Sequence, residues 1–158
     1  MDLFATLRKS GGIEALARQL GHSPATVFAA SEALVPELLA CLREYVRERG
    51  GGDVSVRGLL TVVNRLGDGQ LAADVMGPDQ VQKEAGYTLL EQICGREGID
   101  LLTRRAAEKK DVDLALLKDV LPLLAMLVCG YISARIGGGT GQDELDWVYD
   151  MLGADKKI

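Results

Sequence analysis

His22 is the only histidine in the 158-residue sequence, and it is accompanied by three cysteines, Cys41, Cys94 and Cys129. These side chains are the best suited to nucleophilic or metal chemistry. One histidine, however, excludes a multi-histidine metal site and leaves any cysteine–histidine pair a single partner. The cysteines show no C-x-x-C spacing and lie among apolar residues, which is typical of buried, reduced thiols. We therefore predict a non-enzymatic protein with no catalytic residues, no cofactor and no bound metal.

Two other patterns resemble ligand loops, and both have simpler interpretations. The glycine-rich run at 137–141 lacks the Gly-Lys-Ser/Thr ending of a phosphate loop and follows no predicted strand. We interpret residues 137–142 as a flexible linker. The acidic residues at 143–146 lack the spacing of a calcium loop, and carboxylates at the start of a helix explain them.

The segment at 13–34 has the pattern of a DNA-binding helix-turn-helix. Ala17 is a small residue four positions before the turn glycine, Gly21, and Ser23-Pro24 is a good start for a second helix. Base readout uses Arg, Lys, Asn or Gln, however, and residues 23–34 contain none of them. DNA binding is therefore the alternative function, with these candidate contacts: His22, Ser23 and Thr26.

Trp147 and Tyr149 flank a single residue in the tail, within an amphipathic helix predicted at 143–152, followed by a short polar end. An aromatic helix on a flexible linker can dock onto its own domain or onto a neighbouring chain. Both residues are candidate protein-interaction residues, and docking onto the same domain is the favoured interpretation.

The charge of the chain argues against polyanionic partners. The net charge is −5, with eight Lys/Arg against seven Asp/Glu through Leu66 and ten against sixteen from Gly67 onward. An acidic chain without a basic tract is a poor candidate for binding nucleic acid or an anionic membrane. We therefore expect no membrane association, and nucleic acid as an unfavoured partner.

These residues must be positioned by helices, and one apolar run organises them. No charged residue interrupts Val120–Ala134, so a helix here is apolar on every side. Fifteen residues fall short of the roughly 20 that cross a bilayer, which favours a protein core. Aromatic residues make up only 4% of the chain, a composition that favours helix packing over a β-sandwich. We predict a compact, orthogonal all-α bundle over residues 1–136 around a central buried helix at about 120–135.

The other helices follow from apolar spacing and from glycine or proline punctuation. Pro36 is expected to kink or restart its helix. The start of the chain has no apolar core long enough for a signal peptide, so the expected location is the cytoplasm. Predicted helices cover approximately residues 2–9, 13–20, 24–35, 35–49, 54–66, 71–76, 79–94 and 99–108.

A sparse internal correspondence appears at a shift of 86 residues. Pro36 then aligns with Pro122 and Tyr45 with Tyr131, without a gap. We state as a hypothesis that a helical hairpin is duplicated at 12–49 and 98–135.

Four segments form a combination that is more specific than any of them alone: Gly11–Pro24, Leu34–Leu39, Ala85–Gly95 and Asp113–Gly130. Together they resemble the YidB-like bacterial proteins of unknown function, domain of unknown function family 937. The resemblance covers about residues 1–135 and is looser in the tail. It implies an all-helical fold in the bacterial cytoplasm and carries over no activity or catalytic residue. The sequence departs from the family pattern at Tyr87, Glu91 and Cys94.

From these observations we expect an interaction module that contacts a protein partner or a second copy of itself.

Overall fold

The computed structural model describes residues 3–48, 52–66, 70–81, 83–110, 112–136 and 148. Within these ranges the protein contains helices and no strands, and the helices pack against one another, which confirms the predicted all-α fold. The helices are α1 (Leu3–Lys9), α2 (Gly12–Leu20), α3 (Pro24–Glu48), α4 (Gly52–Leu66), α5 (Gln70–Met76), α6 (Glu84–Lys110) and α7 (Leu114–Ile136).

Helix α7 is the centre of the fold. Every residue from Val120 to Gly130 is buried, and α7 contacts α2, α3, α4, α5 and α6. A helix without a polar face is stable in water only when neighbours cover it on all sides. The predicted central helix is therefore confirmed, and it extends to both sides of the predicted range.

Among the described residues, two helices are long and apolar enough to cross a membrane by length and composition: Pro24–Glu48 and Leu114–Ala134. Other parts of the fold bury 72% of the most apolar stretch of Leu114–Ala134 and 44% of the most apolar stretch of Pro24–Glu48.

Two glycines allow helices to cross α7 closely. A methyl group added at Gly86, on α6, would stand 2.6 Å from the carbonyl carbon of Pro122, and one added at Gly130 would stand 2.8 Å from Cβ of Ala72, on α5. Glycine inside a helix costs about 1 kcal/mol relative to alanine. The contacts explain why glycine stands at these positions despite that cost.

Two predicted helix boundaries were wrong. Helix α3 does not restart at Pro36 but continues through it. Pro36 lies on the exposed side of the helix, where the backbone hydrogen bond that proline cannot make can be replaced by one to water. Flanking buried residues, Val35 and Leu38, hold both halves of the helix to the core. The helix predicted to begin at 79 begins at Glu84 instead. Its predicted separation from the next helix is confirmed, because Gly95 (φ 73°, ψ 162°) lies outside helical geometry and divides α6 into two helical segments across a kink.

The chain just before α6 is held by one buried side chain, Gln19, which is only 7% exposed. Its Nε2 donates to the carbonyl oxygens of Val75 (3.3 Å) and Asp79 (2.8 Å), and its Oε1 accepts from the N–H of Val81 (3.0 Å). The neighbouring Arg18 donates to two more carbonyl groups between them. Helix α2 therefore fixes the path by which the chain enters α6.

The duplicated-hairpin hypothesis finds a similar order of elements in both segments. Each contains a helix, a short connection and a longer helix with an internal proline, Pro36 in α3 and Pro122 in α7. Helix α7 begins at Leu114, four residues later than a gapless shift of 86 from Pro24 would place it. The duplication stays a hypothesis.

Candidate functional site

The turn between α2 and α3 carries the residues that the helix-turn-helix pattern singled out. Gly21 adopts a left-handed conformation and its N–H donates to the carbonyl oxygen of Ala17 (2.9 Å), which ends α2. Ser23 then caps α3, because its Oγ accepts from the N–H of Thr26 at 3.2 Å. The two hydroxyl groups lie 2.7 Å apart. The predicted cap is confirmed, and both side chains have partners within the turn.

His22 points to a carboxylate on the central helix. Its Nε2 lies 3.3 Å from Oδ2 of Asp119, while the Nζ of Lys83 hydrogen-bonds the other oxygen, Oδ1. The contact joins the α2–α3 turn, the segment before α6 and the first part of α7. Partial burial raises the pKa of Asp119, but the hydrogen bonds and charges of Lys83 and His22 outweigh it and leave the pKa below its usual value.

A shallow groove of about 470 Å³ opens beside this cluster, and we call it the His22 groove. Its lining combines an exposed aromatic ring, Tyr87, with charged residues at its rim. Tyr87 is 44% exposed, and the exposed Leu114 begins the helix that forms one wall. Asp113 caps that helix by accepting from the N–H of Ala115 (3.2 Å). The lining residues are His22, Tyr87, Asp113, Ala115, Leu116, Lys118 and Asp119.

The carboxyl group of Asp119 is poorly suited to act as a general acid or base at neutral pH. Such a group works best with a pKa near the operating pH, whereas the pKa of Asp119 is shifted further from neutrality. Over the described part of the chain, no three His, Cys, Asp or Glu side chains are grouped so as to hold a metal ion. The groove therefore combines an exposed tyrosine with charged residues of both signs.

The surroundings of the turn do not favour DNA. His22 faces Asp119, and the groove beside it is lined by Lys118 and Asp113, so its charged residues do not form the basic patch that phosphate groups require. Ser23 and Thr26 bond to each other as the cap of α3. The three candidate contacts therefore lie together as the pattern predicted, but beside a groove of mixed charge.

The tail residues Trp147 and Tyr149 lie outside the described residues. Between them, Val148 is helical and fully buried, and it belongs to the same apolar cluster as the core of the bundle.

The sequence did not identify Lys83 and Asp119 as partners of His22. They are 61 and 97 positions away from it in the chain, and nothing local to either marks the contact. The exposed ring of Tyr87 carried one signal, since it departs from the family pattern at that position.

Removing Lys83 should raise the pKa of Asp119. We expect Lys83→Gln to shift the carboxyl titration to higher pH, measured by carbon NMR of Asp119. Because the folded-state pKa is lowered, this ion cluster stabilises the fold above the unfolded pKa, and the contribution is lost as pH falls through the folded pKa. Lys83→Gln should therefore reduce the acid dependence of stability.

The matched control is Lys109→Gln, which removes a lysine from another ion pair, with Glu37 at 3.2 Å. It should leave the Asp119 titration unchanged. An unaltered Asp119 titration in Lys83→Gln would show that the lysine contact does not set the pKa.

Comparison with known proteins places the sequence in context. A family model described as "Bacterial protein of unknown function (DUF937)" matches residues 2–135. Searches of curated proteins and of solved structures gave no match.

Proposed function

The chain belongs to the DUF937 family of bacterial proteins of unknown function, as predicted, and we propose that it is a non-enzymatic interaction module. In this proposal it self-associates through the His22 groove. The occupant of the groove is the same face of a second copy of this chain. The observation that carries the proposal is the exposed ring of Tyr87 within a rim of both charge signs.

Tyrosine supports a contact role because its ring buries a large area while losing little conformational entropy. Tyrosine is enriched among the few residues that dominate binding energy, and such residues lie centrally with polar groups around them. Tyr87 lines the groove together with Leu116 and with charged residues of both signs. The exposed Leu114 adds apolar surface at the same helix start.

The mixed charge of the rim supports a second copy as the partner. In a two-fold symmetric contact, each residue meets the symmetry-related face, so one surface must contain its own complement. Lys118 and Asp113 both line the groove and supply opposite signs. A partner surface with charges of only one sign would be repelled by the rim residue of the same sign, whereas a second copy carries charges of both signs.

The same proposal assigns the cytoplasm as the location and no membrane span. Its support is the burial of α7, the more apolar of the two long helices, by other parts of the protein. DNA is not a favoured partner, for the electrostatic reason given above.

Trp147 and Tyr149 are proposed as a secondary contact surface on the tail. The burial of Val148 in the core cluster supports docking of the tail onto its own domain. In that arrangement the tail contributes to the surface around the bundle rather than reaching for a distant partner.

Self-association can be tested by size-exclusion chromatography with light scattering over a range of protein concentrations. We expect a dimer that dissociates on dilution, and Tyr87→Ser should weaken it by about thirtyfold, the effect of losing about 2 kcal/mol at a hot spot. Leu101→Ser is the matched control, because Leu101 is equally exposed at 43% but lies on another face. A monomer at every concentration, or equal weakening by both variants, would contradict the proposal.

A further inference from the structure

Two of the three cysteines come together where α3 packs against α6. Cys41 and Cys94 are 53 positions apart in the chain, yet both line the same cavity, and each thiol alters the pKa of the other. Both side chains are half-buried, whereas Cys129 is only 1% exposed. The fold therefore brings together a dithiol and keeps the third thiol away from solvent.

The dithiol lines an open cavity of about 400 Å³ between α3 and α6. Arg105 from α6 lies on one side of the sulfur of Cys41, and the carboxylates of Glu37 and Glu44 lie on α3, one turn before and almost one turn after it. The exposed Leu101 forms part of the apolar lining. A small molecule from solvent can thus enter the cavity that both cysteines line.

The two thiols are chemically unequal. The hydrogen bond from Cys94 lowers the pKa of Cys41 and outweighs the raising effects of burial and of Glu37, while Arg105 lowers it further. The same hydrogen bond and burial raise the pKa of Cys94. Burial alone raises the pKa of Cys129 to about 12. Since the thiolate is the nucleophile, Cys41 is the reactive thiol of the three.

We propose that Cys41 and Cys94 form a redox-sensitive dithiol, which one molecule of a small hydroperoxide oxidises to an intramolecular disulfide. The site is separate from the His22 groove and does not depend on self-association. The fold favours this pairing over one with Cys129, because Cys41 and Cys94 already line the same cavity whereas Cys129 is buried.

The reaction proceeds in two steps. The thiolate of Cys41 attacks the terminal oxygen of the hydroperoxide, forming an S–O bond and breaking the O–O bond, and the leaving alkoxide takes a proton to become an alcohol. The thiol of Cys94 then attacks the sulfur of Cys41, forming the S–S bond as the hydroxyl leaves with the Cys94 proton as water. Two thiols lose two hydrogen atoms, and the peroxide becomes an alcohol and water. Small thiols reverse the oxidation by thiol–disulfide exchange.

Arg105 is a positioning residue in this scheme. Its guanidinium group favours the anionic sulfur of Cys41 in the reduced protein. The nearby carboxylates oppose it, so the reactivity of Cys41 reflects the balance between these charges.

The test uses the full chain with hydrogen peroxide as the probe, followed by intact mass and peptide mapping. We expect the mass to fall by two hydrogen atoms, with one bridge between Cys41 and Cys94 and with Cys129 still free. The Cys129→Ala control should behave in the same way.

In Cys94→Ser, no bridge between Cys41 and Cys94 can form, and dimedone should trap the sulfenic acid on Cys41. In Cys41→Ser, the Cys94 thiol should react at least about tenfold more slowly than Cys41 does.

The wild-type mass measurement decides the proposal even if a variant folds poorly. Retention of three free thiols under peroxide, a bridge that involves Cys129, or disulfides formed only between chains would each overturn it. Faster oxidation of Cys94 than of Cys41 would overturn the assigned roles.

Discussion

Gly86→Ala should destabilise the protein by about 3 kcal/mol or more, because the added methyl group would overlap the backbone of the central helix. The new Cβ would stand 2.6 Å and 2.9 Å from the carbonyl carbon and the Cα of Pro122. Neither atom belongs to a flexible side chain, so α6 or α7 must shift as a unit. Chemical denaturation monitored by circular dichroism gives the free energy of unfolding.

The control for this experiment is Gly58→Ala, on α4. Among the described residues, no atom outside the backbone of its own helix lies within 4 Å of the added methyl group, so we expect the change to act through helix propensity. It should stabilise the protein by about 0.5–1 kcal/mol. If both variants shift stability by the same amount in the same direction, the close crossing at Pro122 is not the reason for glycine at position 86.

Gln19→Leu is the second large effect that we expect, with a loss of about 3 kcal/mol. Leucine fits a similar volume but provides no hydrogen bonds, so the carbonyl group of Asp79 and the N–H of Val81 lose their partner near a buried site. Leaving buried polar groups without a partner costs about 1–3 kcal/mol for each group. The free energy of unfolding and the hydrogen exchange of the Val81 amide should both report the loss.

A matched glutamine is available in Gln70, which is exposed and donates to Asp74, one turn away on α5 (2.7 Å). Gln70→Leu should change stability by less than about 0.5 kcal/mol. An unchanged Val81 amide in Gln19→Leu would mean that the segment before α6 keeps its path without the glutamine.

The parts of the fold that could be predicted are those that depend on neighbours in sequence. The uninterrupted apolar run identified α7 as the core, and the caps at Ser23 and Asp113 follow from residue type and position. Pro36 was misjudged because a proline's effect depends on whether its side of the helix faces water, which only the packing decides.

The contacts that make up the candidate sites could not be predicted, since they depend on where helices cross. His22 meets Asp119, and Cys41 meets Cys94, across separations with no fixed periodicity. Each of these residues has an ordinary local sequence, and the cysteines were interpreted as three separate buried thiols. The close approach of Pro122 to Gly86 could not be predicted either, because the sequence around a glycine inside a helix does not indicate which backbone lies against it.

The central position of α7 has a consequence for biosynthesis. The helices that cover it are all translated first, so their apolar faces emerge from the ribosome before the surface they will cover exists. At bacterial elongation rates, roughly 4 to 18 s separate the end of α3 from the end of α7. During that interval the nascent chain must expose the residues that later form the core. The protein should therefore depend on holding chaperones such as those at the ribosomal exit more than a bundle whose core helix is made early.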